Sequence, residues 1–488
     1  MPLQSARLQP VTQQQSKRHA CVCVGPENDY ADSKATIPMK KNENKNKNDD
    51  LISSAFGRAL ELGGLATRMG ASFLGGKIRL PFVDEIARSD FLNDIYIREA
   101  ERLVERLSHM KGAAMKFGQM LSVMDGMGSG ALPPEVARIL SRLQKDAQPL
   151  SFDTIEPVIT EDLGERRRRI AEIDQEALAC ASIGQVHRAR MDDGREIVLK
   201  VQYPDMPRIV RSDIKNLKVL ASPFAALFGI RNMEQIWREV EDRLHEELDY
   251  EREARHIKRM FEHHGENGDL VLPAVIDEVC GPRVLAMTYV PGLSGEAVFA
   301  ESVSQRDRDR WGEVLAKTML ENLFVHRFMH ADPNFGNFAF QNDGRVVLYD
   351  FGCVKQVPEA LAAAYGKSAR AMLEDQLDVV PPILREAGIG MKDGSQLGRG
   401  FVVDHAKIFR APFRAEAPYF QFGSNPELND EVWRLAREYW YESLGIEFPA
   451  DILMIHRTLA GTMGNLSKMR ATADWRGILS DILERAGY

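Results

Sequence analysis

Met329–Phe338, M-H-A-D-P-N-F-G-N-F, and Val346–Gly352, V-V-L-Y-D-F-G, are the two stretches that decide the fold of this 488-residue chain. Asp332 and Asn337 form D-x-x-x-x-N, and Asp350 opens D-F-G directly after a strand-like run. The first carboxylate can accept the proton of an attacking hydroxyl, and the other two side chains offer the oxygen ligands that Mg²⁺ prefers. Either motif alone would be typical of a polar turn. Together they predict a phosphoryl-transfer site with Asp332 as the catalytic group and Asn337 and Asp350 as metal ligands.

Ala179–Val186, A-C-A-S-I-G-Q-V, follows the template G-x-G-x-x-G-x-V of a kinase nucleotide loop, with alanine at the first two glycine positions. We therefore expect Ala179, Ala181, Ser182 and Gly184 to contact ATP. A methyl group restricts φ, so this loop should be stiffer than a glycine-rich loop and should follow the phosphates less closely. Without the other motifs, the stretch would be an ordinary strand end.

Ile197–Lys200, I-V-L-K, matches the strand motif V-A-I-K and predicts that Lys200 reaches the ATP phosphates. Such a lysine needs a carboxylate from a helix. Five acids crowd residues 246–253 of the predicted helix that follows. Most of them are expected to form a solvated face, but at least one should pair with Lys200.

The chain divides into four segments. Residues 1–50, rich in Gln, Asn and Lys, predict a disordered tail, and residues 51–150 predict a helical extension with an apolar stripe from Leu92 to Met110. Residues 151–292 carry short Val- and Ile-bearing runs, and D-D-G between Ala181–Met191 and Glu196–Gln202 indicates an antiparallel hairpin. Residues 293–488 are mostly helical. A sheet-rich lobe followed by a helical lobe predicts an α+β, bilobal protein-kinase-like fold.

Individual elements are predicted within these segments. Gln235–Phe261 is expected to form one long helix, because apolar residues recur along one face. Strands are expected at Leu270–Val275, Arg283–Val290 and Arg345–Tyr349, where β-branched residues cluster.

Composition limits the function classes. The net charge of −8 gives no general attraction to nucleic acid, and the spacing of the five cysteines predicts neither a disulfide scaffold nor a zinc site. No run of 18 apolar residues exists, so no transmembrane span is expected. We expect a protein that is cytoplasmic or peripheral to a membrane. Residues 51–82, in which Gly and Arg alternate with apolar residues, are either a membrane-surface segment or a loosely packed helix with a Gly-rich loop.

These residues resemble one family, the UbiB/AarF atypical kinases, also called the ABC-one or ADCK family. Lys116-Phe117-Gly118-Gln119 resembles its K-x-G-Q motif, Ala179–Ser182 its alanine-rich loop, and Glu247-Leu248-Asp249 its E-x-D motif. Glu253 then falls at the position that pairs with the strand lysine. His330–Asn337 resembles H-A-D-P-H-P-G-N, with Asn334 and Phe335 as departures.

The resemblance implies that the K-x-G-Q helix in the N-terminal extension folds over the active site. Lys116 and Gln119 would meet Glu247 and Asp249 there and obstruct a protein substrate. The resemblance also implies binding of ATP or ADP with Mg²⁺, weak ATPase activity, and support of ubiquinone or other isoprenoid-lipid metabolism at a membrane. A lipid or quinone-precursor ligand is part of that expectation.

Two functions remain open from the sequence. The first is an ATPase or small-molecule kinase in lipid or quinone metabolism, and the second is a nucleotide-regulated binding module without useful phosphoryl transfer. A conventional protein kinase is disfavoured, because no A-P-E follows D-F-G and the nearest approach, Val357-Pro358-Glu359, leaves no room for a long activation loop.

Overall fold

The computed structural model describes residues 149–181, 183–227, 233–265, 268–416, 419–425 and 445–488, with isolated positions at 97–104 and 431–443. The predicted tail 1–50, the segment 51–82 and the K-x-G-Q motif lie outside the described residues. Of the predicted helical stripe Leu92–Met110, four positions are described, and all four are helical.

An antiparallel five-stranded sheet forms the first half of the described chain. Helix α1 (Phe152–Leu163) precedes the strands β1 (Ile170–Ile173), β2 (Ala179–Cys180), β3 (Gly184–Met191) and β4 (Glu196–Gln202). The strand order is β1-β3-β4-β6, with β2 also paired to β3, and β6 spans Val284–Thr288. The predicted hairpin at D-D-G is confirmed as β3–β4, and Gly194 turns the chain with φ of 89°.

Three helices follow β4: α2 (Met206–Leu227), α3 (Met233–Glu247) and α4 (Tyr250–His264). The prediction of one helix over Gln235–Phe261 is wrong, because the chain breaks between α3 and α4. Asp249 is the cause: its carboxylate accepts the Arg252 amide at 2.7 Å and caps α4. Aspartate favours this cap over a helix interior.

Short strands connect the sheet to the helical half. β5 (Leu270–Val271), β10 (Val346–Leu348), β9 (Phe338–Phe340) and β7 (Leu293–Ser294) form a second sheet in that order, and β8 (Phe328–His330) pairs with β11 (Val354–Gln356). The strand expected over Leu270–Val275 is therefore shorter, and it pairs in parallel with β10 rather than in the first sheet. The strands expected near 283–290 and 345–349 are present as β6 and β10.

Helices dominate the remainder, as predicted. They are α5 (Gln305–Phe324), α6 (Glu359–Leu373), α7 (Val380–Glu386), α8 (Arg399–Phe409), α9 (Trp440–Ser443), α10 (Asp451–Met469) and α11 (Trp475–Arg485). Two short ladders join β12 (Gly390–Met391) to β14 (Ile446–Glu447) and β13 (Phe420–Gln421) to β15 (Thr472–Ala473). Helix α5 packs on the second sheet, where the Trp311 ring lies 5.2 Å from that of Phe340. Within the described ranges, no helix combines the length and apolarity needed to cross a bilayer.

Candidate functional site

Hydrogen bonds join the two halves of the deciding motif. Asp332 follows β8 and Asp350 follows β10, and the backbone amide of Tyr349 donates to the carbonyl of Asn337 at 2.9 Å. The buried His330 imidazole donates from Nε2 to the carbonyl of Asp350 at 2.7 Å. Burial lowers the pKa of His330, so the ring is neutral when it makes this bond. The D-x-x-x-x-N loop and the D-F-G turn therefore form one connected unit.

Lys200 lies on the central strand β4 and pairs with a carboxylate from α4, as the sequence predicts. Its Nζ is 2.7 Å and 2.9 Å from the two carboxylate oxygens of Glu253 and 3.4 Å from Oδ2 of Asp350. The side chains of Lys200 and Glu253 are only 9% and 2% exposed, whereas that of Asp350 is 41% exposed. The strand, the helix and the D-F-G turn meet at this ammonium group.

The cluster of Lys200, Glu253 and Asp350 carries one excess negative charge when all three groups are ionised. Burial alone disfavours the ammonium ion, but Asp350 and Glu253 outweigh it and raise the pKa of Lys200. Burial also raises the pKa of Glu253, with Asp350 adding to the effect and Lys200 opposing it. Asp350 is the exposed member, so its carboxylate is the one that ions from solvent can reach.

Helix α4 holds the D-F-G turn through both backbone groups of Phe351. The Phe351 amide donates to Oε1 of Glu253 at 3.2 Å, and Nδ1 of His256 donates to the Phe351 carbonyl at 3.0 Å. The Gly352 amide donates to Oδ1 of Asp350 at 2.9 Å and orients that carboxylate. Any shift of α4 would therefore move Asp350 as well as Glu253.

Asp332 is held on both carboxylate oxygens. Oδ2 accepts from Nδ2 of Asn337 at 3.0 Å, and Oδ1 accepts from Arg457 of α10, also at 3.0 Å. The neighbouring Pro333 carbonyl accepts from Asn465 at 2.6 Å. The sequence interpretation missed Arg457 and Asn465, although they lie eight residues apart on one helix face.

The predicted nucleotide loop contains exposed and buried parts. Ala179 is exposed and Ala181 is half-buried; Ser182 lies outside the described residues. Gly184 is buried, and a Cβ there would collide with the Val201 carbonyl and lie 2.7 Å from the Tyr250 hydroxyl. Close packing of β3 against β4 and α4 is thus one reason for glycine at this position.

The predicted gating acids lie where α3 meets α4. Glu247 ends α3, and Asp249 caps α4 and lies 3.7 Å from Arg255. Their predicted partners Lys116 and Gln119 lie outside the described residues. In the described part of the chain, Asp249 therefore has the structural role of a helix cap.

Comparison with known proteins identifies the family. Residues 142–380 match the model of the ABC1 atypical kinase-like domain. A Schizosaccharomyces pombe protein, atypical kinase COQ8, mitochondrial, is 31% identical over 439 residues, which are 88% of this chain and 70% of that protein. The chain belongs to the ABC1 atypical kinase-like family. This membership implies a kinase-like enzyme that binds a nucleotide, and it confirms the resemblance seen in the sequence.

Other ABC1 relatives extend the comparison. The Dictyostelium discoideum protein named probable serine/threonine-protein kinase abkA is 34% identical over 355 residues, 67% of this chain and 62% of that protein. The chain thus spans less than two thirds of this relative. The structure of Mycobacterium tuberculosis Rv3197 in complex with erythromycin has a TM-score of 0.57 and 24% identity, covering 81% of this chain and 98% of that one. That similarity concerns the fold alone, and it agrees with the predicted kinase-like fold.

Proposed function

We propose that this ABC1 family member binds Mg-ATP and acts as an ATPase or small-molecule kinase in ubiquinone or other isoprenoid-lipid metabolism. The observation that carries the proposal is the cluster of Lys200, Glu253 and Asp350, joined by hydrogen bonds to the D-x-x-x-x-N loop. Lys200 would bind the ATP phosphates, and Glu253 would hold the ammonium group in place. The alanine loop, with Ala179, Ala181, Ser182 and Gly184, would cover the nucleotide.

Asn337 and Asp350 fit a magnesium ion. Asn337 uses its amide nitrogen on Asp332, which leaves its carbonyl oxygen Oδ1 for a cation. Asp350 adds an exposed carboxylate in a cluster with excess negative charge. A hard cation prefers such oxygen ligands, and a bound Mg²⁺ would neutralise phosphate charge during transfer. Asp332 would accept the proton of the attacking hydroxyl or orient water.

The connection after D-F-G argues against a protein substrate. Only β11 lies between Gly352 and the start of α6 at Glu359, so the chain has no long activation segment in this described region.

Lys116 and Gln119 are proposed to form a cover over Glu247 and Asp249 that obstructs a protein substrate. We also propose the division at residues 50, 150 and 292, and a peripheral membrane contact through residues 51–82. The printed names of several relatives include the word "mitochondrial".

Two contacts favour the second candidate, a nucleotide-regulated binding module. Asn337 and Arg457 each donate to one oxygen of Asp332, so each oxygen has fewer lone pairs left to accept a proton from substrate. A site held this way could bind nucleotide and change shape without efficient transfer.

Phosphate release separates the two candidates. We expect purified protein with Mg-ATP to release phosphate, with and without vesicles of anionic phospholipid, and Asp332→Asn to lower the rate by about 10²–10⁴-fold, as loss of a general base does. Asp343→Asn, at an exposed turn carboxylate, is the matched control and should keep wild-type turnover.

Thermal stabilisation by ATP should persist in both variants, because neither residue is proposed to bind the nucleotide. Wild-type turnover no higher than that of Asp332→Asn would end the catalytic proposal. Retained ATP stabilisation in that case would support the binding module, and its loss from the wild type would reject both.

A further inference from the structure

Three side chains of metal-binding types meet where the C-terminal ends of α4 and α5 come together. His264 is the last residue of α4, Glu321 lies in the last turn of α5, and His326 follows that helix. One ligand atom from each lies within 4.8 Å of the others. No cysteine takes part, so the cysteine spacing in the sequence gives no sign of this cluster. It is separate from Asn337 and Asp350.

His264 is held in the orientation that metal-binding histidines require. Its Nε2 donates to Oδ1 of Asn322 at 2.8 Å, and Asn322 is 1% exposed. The proton is therefore on Nε2, and the lone pair of Nδ1 points away from this bond. Nδ1 lies 3.9 Å from Oε2 of Glu321. Histidines that bind metals commonly donate their second ring N–H to an oxygen in this way.

Glu321 is also oriented by a neighbour. Its Oε1 accepts from Arg485 at 2.7 Å, which leaves Oε2 on the side of His264. Arg485 opposes a nearby cation, but it is 49% exposed and lies 3.6 Å from Asp481, so part of its charge is offset. The cluster has little excess negative charge, and binding must therefore rely on the imidazole nitrogens. That requirement favours a transition metal over Mg²⁺ or Ca²⁺.

His326 is a ligand candidate that lies beside two other imidazoles. Its ring stacks on His263 at 4.6 Å and meets the edge of His264 at 5.1 Å. Nε2 of His263 is buried and has no hydrogen-bond partner among the described residues. An unsatisfied polar atom beside the cluster is consistent with an additional ligand or water there.

We propose that His264, Glu321 and His326 bind a divalent transition-metal ion of the Zn²⁺ class. Tetrahedral ligands about 2.0–2.1 Å from Zn²⁺ lie about 3.4 Å apart. The 3.9 Å between His264 and Glu321 must therefore shorten by about 0.5 Å, and the two separations from His326, which are within 4.8 Å, by up to about 1.4 Å. Side-chain rotations can supply both changes. Three protein ligands leave a fourth position for water.

The ion would tie the end of α4 to α5. Helix α4 carries Glu253 and His256, which hold Lys200 and the D-F-G turn. A metal clamp at the opposite end of the helix would restrict the position of the whole helix. The site does not depend on the proposed ATP chemistry, and its test does not measure phosphate release.

The test is metal binding by the full chain after EDTA treatment and removal of the chelator. Isothermal titration with ZnCl₂ in excess Mg²⁺ should give saturable binding, and CoCl₂ should give visible absorption bands of a site with nitrogen ligands. His326→Ala and Glu321→Gln should each weaken zinc binding by more than about 100-fold. Mutation of a residue that only hydrogen-bonds to a metal ligand typically weakens metal binding by about 10–100-fold, so a larger loss indicates a direct ligand. His245→Ala, at an exposed histidine of α3, should bind as the wild type does.

The ligand variants decide the outcome, because the imidazole of His19 and the thiolates of Cys21 and Cys23 could also bind zinc. Zinc should also raise the thermal midpoint of the wild type and of His245→Ala, but not that of Glu321→Gln. Because glutamine keeps the shape of the glutamate side chain, Glu321→Gln still tests the site if His326→Ala fails to fold. Absence of saturable zinc binding by the wild type would overturn the proposal. So would affinities of the ligand variants equal to that of the wild type.

Discussion

Lys200→Met is expected to destabilise the fold more than Glu253→Gln, although both remove one half of the same ion pair. Loss of Lys200 leaves the Glu253 carboxylate, which is 2% exposed, without the ammonium group that it contacts. Breaking a buried pair in this way costs about 3–5 kcal/mol. Glu253→Gln leaves Lys200 3.4 Å from Asp350 and keeps an oxygen that can accept from the Phe351 amide. Glu253→Gln is therefore expected to lower the free energy of unfolding by about 1–2 kcal/mol, because it weakens a hydrogen bond between charged groups.

In the double variant, the effect of Glu253→Gln on the free energy of unfolding is expected to change sign. Glu253→Gln should destabilise the wild type but stabilise the Lys200→Met background, because there it removes an uncompensated buried charge. Urea unfolding followed by circular dichroism and tryptophan fluorescence measures the free energies, provided that the two transitions coincide. Lys218→Met is the control, since the Lys218–Glu241 pair is 36% exposed on both sides and should contribute less than about 1 kcal/mol. Equal destabilisation by Glu253→Gln in both backgrounds would refute the charge argument.

Two further predictions concern packing and pH. Gly184→Ala should destabilise the fold by about 1–3 kcal/mol through overpacking. Gly464 is at an exposed position of α10, where no described atom lies within 4 Å of an added Cβ, so Gly464→Ala should stabilise the fold by about 0.5–1 kcal/mol. Similar urea midpoints for the two variants would contradict this expectation. Burial lowers the pKa of His187, so its contribution to stability is present above the unfolded pKa of about 6.5 and is lost as pH falls through the lower folded pKa. His187→Gln should reduce the acid-side slope of stability by up to about 1.4 kcal/mol per pH unit, and exposed His245→Gln should leave it unchanged; equal slopes would remove His187 as the cause.

Local patterns were sufficient for the elements whose signals are local. D-D-G between two β-branched runs predicted the β3–β4 hairpin, because turn residues and alternation act over a few positions. The apolar periodicity did not predict the break between α3 and α4, because the apolar stripe continues across the position where Asp249 caps α4. It also failed at β5, a two-residue strand whose partner β10 comes 76 residues later in the chain. Tertiary pairing, not propensity, determines both the length and the sheet of that strand.

The same distinction separates the predicted site residues from the missed ones. Lys200, Asp332, Asn337 and Asp350 are in short motifs at spacings that metal and phosphate chemistry requires, so sequence could name them. Glu253 was distinguished from the other four acids of residues 246–253 only by the family resemblance. Their roles in ATP and Mg²⁺ binding remain predictions. Their geometric association, by contrast, is present in the hydrogen bonds of the structure.

Helix α10 provides a second support for the D-x-x-x-x-N loop that no motif encodes. Arg457, Gly461 and Asn465 recur every four residues and therefore share one face. Arg457 binds Asp332, Asn465 binds the Pro333 carbonyl, and a side chain at Gly461 would collide with the Pro333 ring. This face is polar or bare, so a search for apolar periodicity passes over it. The recurrence of polar or small residues at every fourth position is the signal that would have indicated it. Because the stripe contacts Asp332 directly, the orientation of the proposed base depends on the packing of a helix about 120 residues away in sequence.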